Sequence, residues 1–174
     1  MPIYALGDLE PSIHPEAYVH PDAVVIGDVV LGPQATVWPT AVLRGDHGQI
    51  RVGARTNVQD GTVIHATSVD DTVIGDEVTI GHNAHIEGAT IGDGALIASG
   101  SVVLNGAVVE QGAVVAAGAV VAPKSVIPAF RMALGVPARV REGHEVPAGA
   151  HRHTVDSYVR RGKRYRAELR RLDG

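Results

Sequence analysis

An all-β solenoid closed by one C-terminal α-helix is the fold class this sequence predicts, and three observations predict it. From Ile74 to Ala122 the chain repeats every six residues, in units such as Ile74-Gly75-Asp76-Glu77-Val78-Thr79 and Ile91-Gly92-Asp93-Gly94-Ala95-Leu96. The composition is 45% hydrophobic yet only 3% aromatic, with 21 glycines and one Phe. Near the end the spacing changes, and Val155, Tyr158, Val159, Tyr165, Leu169 and Leu172 recur at helical intervals. A six-residue period with one large aliphatic anchor per unit coils short flat strands around a narrow core, three units to each triangular turn. Such a prism takes Ile, Val and Leu at its anchors and Ala, Gly or Ser where its corners pinch, which accounts for the composition.

The anchors begin at Ile13, Val19 and Val25 or Ile26, continue through Leu31, Val37 and Leu43, and resume at Val52, Val58 and Ile64. The register breaks at residues 45–49 and again at 66–71. Breaks in a solenoid are expected as loops ejected from a corner, where function concentrates. The repeat then runs unbroken until Pro128, so residues 1–128 form the prism, with its coils starting at about residue 11. Gly135, Pro137, Gly143 and Pro147 mark residues 129–149 as a linker over the surface. Residues 150–174 carry the helix, over about 153–172, with Thr154 or Asp156 as candidate caps. Gly162 weakens this helix slightly. The helical segment holds eight Arg or Lys against three Asp or Glu, and the rest of the chain seven against sixteen, net −9. That asymmetry suggests a basic helix side laid on an acidic prism, with a solvated Arg-rich face as the alternative.

At 174 residues the chain is long enough for one domain with a sizeable core. A net charge of −4 argues against a general nucleic-acid binder. The absence of cysteine removes disulfides, thiolate ligands and a Cys nucleophile. No stretch reads as a signal peptide or a membrane span, so a cytoplasmic protein without membrane contact is expected.

His65 and Glu87 each directly follow an anchor, Ile64 and Ile86, so the repeat places them at one position in successive coils, roughly 5 Å apart. His82 stands two places after Ile80 and belongs to another edge. If these three meet, a neighbouring subunit must bring its own His82, as a ring of three prisms would do. His14, His20, His144, His151 and His153 read as surface histidines beside prolines or in loops.

The residues Arg44-Gly45-Asp46, Asn57-Val58-Gln59-Asp60, Val63-Ile64-His65 and Gly81-His82, followed by Ala84 and Ile86-Glu87-Gly88, resemble the γ-class carbonic anhydrases over nearly the whole chain. The resemblance implies a left-handed prism and a homotrimer. It implies reversible CO₂ hydration at the subunit interface, with CO₂ and bicarbonate as substrates and zinc as the metal, iron or cobalt being alternatives. His65 and His82 match two of the family's three metal-binding histidines. Arg44, Asp46 and Asp60 match an interface salt bridge, Gln59 a residue that orients the metal-bound hydroxide, and Asn57 its neighbour. Tyr158 lies near where the family places a polar residue over the pocket.

One departure is as informative as the match. The third histidine's place holds Glu87, making the expected ligand set His65, His82 and Glu87. Two histidines with a carboxylate can hold zinc. The carboxylate, however, lowers the site charge to about +1 and raises the pKa of a bound water. His85, on the same side of the strand as Glu87, is a candidate substitute ligand, and His47 a candidate proton relay. Two further readings follow. Glu87 acts as acid or base on another carbonyl or thioester substrate, with no metal if it abolishes binding, or the trimer is a non-catalytic binder or scaffold. The segment Gly135-Val136-Pro137-Ala138 resembles the tail of hexapeptide acyltransferases.

Overall fold

In the computed structural model, which describes residues 2–173, the chain winds about seven turns of a left-handed β-helix and ends in a single α-helix. Each turn contributes one short strand to each of three faces. The first face stacks the strands at 18–19, 36–37, 57–58, 79–80, 96–97, 114–115 and 131–134 in parallel. The second stacks 42–44, 63–65, 85–87, 102–103 and 120–121, and the third stacks 50–52, 72–74, 90–91, 108–109 and 126–127. Every anchor points inward. Leu43, Ile64, Ile86, Val103 and Val121 form one fully buried column, and Val37, Val58, Ile80, Ile97 and Val115 form another. Alanines such as Ala41, Ala84 and Ala95 fill the corners, also fully or nearly buried. Of the two candidates at the third anchor, Val25 is the buried one.

The break at residues 45–49 is not an ejected loop. Val42–Val52 is one continuous strand that rounds the corner beside Val24–Leu31. Gly27 pairs with Gly45 and Val29 with Ile50, so the extra residues of the later coil bulge outward between two paired segments. A bulge is cheaper here than a loop because the ladder on either side keeps its backbone hydrogen bonds. Residues 66–71 leave the same corner one coil later and do lie outside the strands, with Asp71 accepting a hydrogen bond from the Gln49 backbone at 2.7 Å. Residues 129–149, expected as a linker, hold an antiparallel hairpin, Arg131–Leu134 with Arg139–Glu145.

The helix, α1, spans Arg152–Glu168, with His151 at its N-cap and no side-chain cap from Thr154 or Asp156. Its apolar stripe lies on the prism and most of its basic side faces solvent, Arg166 alone among the described residues reaching back to donate to the Pro15 and Ala17 carbonyls. Val155, Tyr158, Val159 and Gly162 face inward and are buried, against the first face of the prism. The ion pair that crosses this junction has the opposite polarity to the one expected: Arg55 of the prism holds Asp156 of the helix. Apolar contact decides the orientation, because the charged heads keep their hydration only on the solvent side. Gly162 has a positional reason, since a Cβ there would sit 2.7 Å from Thr36 Cγ2. An aromatic cluster fills the seam, with Trp38 packed on Tyr158 at 5.3 Å and on Tyr165 at 5.0 Å between ring centroids. His20, expected at the surface, is buried beside it. Among the described residues no helix is long and apolar enough to cross a membrane.

Candidate active site on the prism edges

Two histidine-centred groups lie on neighbouring edges, separated by the width of the second face. At the far edge of that face His65 pairs in register with Arg44 on one side and Glu87 on the other. The bulge then carries Asp46 back over the ring. His65 Nε2 lies 2.9 Å from Asp46 Oδ1, and Nδ1 lies 3.2 Å from Glu87 Oε1. Arg44 donates to the other Asp46 oxygen, His47 Nδ1 stands 3.2 Å from Asp46 Oδ1, and His85 Nε2 stands 3.5 Å from Glu87 Oε2. Burial would raise the pKa of Asp46, but hydrogen bonds from Arg44, His65 and His47 outweigh it and hold the carboxyl well below the usual range. Glu87 is lowered chiefly by its hydrogen bond to His65, against a smaller opposing effect of burial. His65 therefore bridges two carboxylates, and neither ring nitrogen is left open to a substrate.

Asp60 and His82 occupy the other edge. Val58 pairs with Ile80, which stacks the turn holding Asp60 directly against the turn holding His82, and Asn83 N–H donates to the Asp60 carbonyl at 2.9 Å. His82 Nδ1 then lies 2.9 Å from Asp60 Oδ2, both side chains being about half exposed (48% and 45%). This contact assigns the tautomer with the proton on Nδ1, so Nε2 carries the lone pair. Among the described residues Nε2 makes no hydrogen bond.

Beside this pair, on the first face, Asn57 and Gln59 are buried to 0% and 5% exposure. Gln59 Nε2 donates to Asn57 Oδ1 at 2.9 Å, and Asn57 Nδ2 donates to Thr79 Oγ1 at 3.0 Å and the Val78 carbonyl at 3.3 Å. Tyr158 reaches the same neighbourhood from α1. Burial raises its pKa, the negative charge of Asp60 adds to that, and Arg161, lying 5.1 Å over its ring, opposes it.

Within one chain the residues expected at a metal do not assemble. His65 and Glu87 are in contact, whereas His82 turns to Asp60 on the other edge. The ligand-type groups that converge are Asp46, His47 and His65. Arg44 and Asp46 do pair, but Asp60 pairs with His82. Sequence reading missed the Asp60–His82 contact, for which the signal was the spacing: residues 60 and 82 are separated by the same 22 positions as 65 and 87.

A family model described as bacterial transferase hexapeptide (six repeats) matches residues 71–105. A hexapeptide transferase family protein from Anaplasma phagocytophilum is 32% identical with a TM-score of 0.88, covering 94% of this chain and 98% of that one. A putative acetyltransferase from Bacillus cereus is 32% identical with a TM-score of 0.91, covering 95% of this chain and 96% of its own. The carnitine operon protein CaiE of Escherichia coli O157:H7 is 46% identical over 92 residues, 53% of this chain and 47% of CaiE. The match thus spans about half the length of that curated relative. A hexapeptide-repeat acetyltransferase of Vibrio cholerae, solved with acetyl coenzyme A, shares the fold at 22% identity and a TM-score of 0.56, covering 67% of this chain and 70% of its own.

These comparisons correct the expectation built on the γ-class resemblance. Relatives that align end to end are a hexapeptide transferase family protein and a putative acetyltransferase, which overturns the expectation of CO₂ hydration and lyase chemistry. The alternatives of Glu87 as acid or base on another carbonyl or thioester substrate and of a non-catalytic binder or scaffold give way with it. The expected zinc, iron or cobalt cofactor is overturned together with the hydration chemistry it was to serve.

Proposed function

Because the chain belongs to the hexapeptide transferase family, we propose that it is an acyltransferase in which His82 is the general base and Asp60 orients it. The single observation that carries this reading is the Asp60–His82 contact at 2.9 Å with His82 Nε2 left free. An acceptor N–H or O–H attacks the carbonyl carbon of a thioester donor while Nε2 takes its proton. The tetrahedral intermediate then expels the sulfur, and the same nitrogen returns the proton to it. Asp60 keeps the reactive tautomer in place and stabilises the imidazolium between the two steps. His65 does not compete for this role, because both its nitrogens face carboxylates. It braces the opposite edge together with Arg44, Asp46 and Glu87.

The site is completed by a second copy. Hexapeptide-repeat proteins commonly form trimers. On the face between the two edges the outward positions, stacked in register, are Val24, Val42, Val63, His85, Val102 and Val120, all of them partly exposed except Val63, which is exposed. Packing these five valines against a neighbour buries apolar surface, with His85 the one polar side chain among them. It also brings the His82 edge of one copy beside the charged edge of the next, giving three equivalent clefts in a homotrimer.

The test is release of free thiol from acetyl coenzyme A in the presence of amine and alcohol acceptors, for wild type and His82→Asn, with sedimentation of both. His82→Asn is expected to lower turnover by about 10²–10⁴ while leaving the oligomer intact. Wild-type turnover in the His82→Asn protein overturns the assignment.

A further inference from the structure

The buried amide pair beneath α1 has a fixed polarity. Asn57 is fully buried, and its Nδ2 is directed at the Val78 carbonyl, a group that can only accept. That leaves Asn57 Oδ1 facing Gln59, so Gln59 must present Nε2 inward, as it does at 2.9 Å. Its Oε1 is then turned outward. It makes no hydrogen bond among the described residues, and it is not one of the buried atoms left without a partner, so solvent reaches it. Neither amide can flip alone, because a flip would set two donors or two acceptors face to face in a site shielded from water. Gln59 precedes Asp60, and the register sets it against Gly81, the residue before His82. The edge therefore offers two acceptors one coil apart, Gln59 Oε1 and His82 Nε2.

We propose that this pair of acceptors selects a primary amine as the acyl acceptor, with Gln59 as the positioning residue that holds its second N–H. A neutral amine carries two N–H bonds and a lone pair. One N–H goes to His82 Nε2, the other to Gln59 Oε1, and the lone pair attacks the thioester. The C–N bond forms, the C–S bond breaks, and the proton taken by His82 ends on the sulfur, giving an amide and a free thiol. An alcohol has one O–H, which goes to His82 and leaves Gln59 Oε1 without a donor from the reacting group. The inference rests on the acyltransferase reading and names the acceptor class for that same site.

The experiment uses the full chain with acetyl coenzyme A and matched acceptors, propylamine against 1-propanol and 2-phenylethylamine against 2-phenylethanol. Wild type is expected to favour each amine. Gln59→Met, which keeps the length of the side chain but removes the acceptor together with the donor to Asn57 Oδ1, is expected to raise KM for the amines about tenfold, the loss of one hydrogen bond to the acceptor substrate, and to leave KM for the alcohols unchanged. KM for acetyl coenzyme A should stay unchanged, a split that general loosening of the fold would not produce. A preference for the alcohols, or an equal effect of Gln59→Met on both classes, overturns the amine assignment and leaves acyl transfer standing. Absence of His82-dependent thiol release with every acceptor overturns both.

Discussion

Replacing Asp60 by Asn tests the catalytic pair more finely than removing His82 does. The substitution keeps the size of the side chain and an oxygen that can still accept from His82 Nδ1, but it removes the negative charge that steadies the imidazolium. A hydrogen bond to a charged group contributes about 1.5–3 kcal/mol. Both side chains here are about half exposed, 48% and 45%, and solvent screening cuts such a contribution substantially. A residual of roughly 1–1.5 kcal/mol corresponds to a loss of about tenfold in turnover. The expected order is therefore His82→Asn far below Asp60→Asn, with wild type highest. Steady-state thiol release measured across pH is the assay, read as kcat and KM separately. The Asp60→Asn loss should fall on kcat, since the charge matters once His82 has taken the proton. An Asp60→Asn protein indistinguishable from wild type would show that the carboxylate does not act through His82. A loss as large as that of His82→Asn would mean that Asp60 itself takes the proton.

Three further outcomes concern the scaffold. Ile86, fully buried in the coil that carries His82 and stacked on Ile64 of the coil that carries His65, should cost about 2–5 kcal/mol when cut to Ala. In a chain of this length that lowers the melting temperature by roughly 10 °C, readable by circular dichroism. Gly48→Ala would place a Cβ 2.4 Å from the Thr67 carbonyl oxygen and 3.0 Å from Asp71 Oδ1. It should therefore destabilise the bulge that carries Asp46, and a melting curve matching wild type would refute that packing. Asp46 and Glu87 both have folded pKa values below the unfolded ones. Their contribution is thus complete above the unfolded values, about pH 4–5, and is lost as pH falls through the depressed folded values. Asp46→Asn should flatten the acid limb of stability measured by urea unfolding between pH 3 and 6, with little change in slope above it. An unchanged acid limb would place the loss elsewhere.

Most of the prism was legible because its anchors answer to a single local rule. Once Ile64, Ile74, Ile80 and Ile86 are counted off, the spacing that sets His65 against Glu87 also sets Asp60 against His82. What counting cannot reveal is which way a side chain turns at a corner, since that depends on partners brought in by other coils. The bulge at residues 45–49 carries Asp46 onto His65 only because the ladder resumes at Ile50. A break in period looks the same whether the chain leaves the sheet there or swells within it. The charge pattern of the helix misleads for a related reason. Eight basic residues against a net charge of −9 suggest attraction, but exposed charges contribute little to orientation. The apolar stripe of Val155, Tyr158 and Val159 decides it. The γ-class motifs mislead most instructively. Asn57 ties one coil to the next, Gln59 fixes the polarity of its amide, and Arg44 with Asp46 secures a corner. Residues with such duties belong to the architecture of the prism and can accompany more than one chemistry. In the proposed reading the residue that separates the chemistries is His82, through the partner of its Nδ1. With that nitrogen held by Asp60 and Nε2 free, the edge has the arrangement that the proposed acyl transfer needs to move a proton.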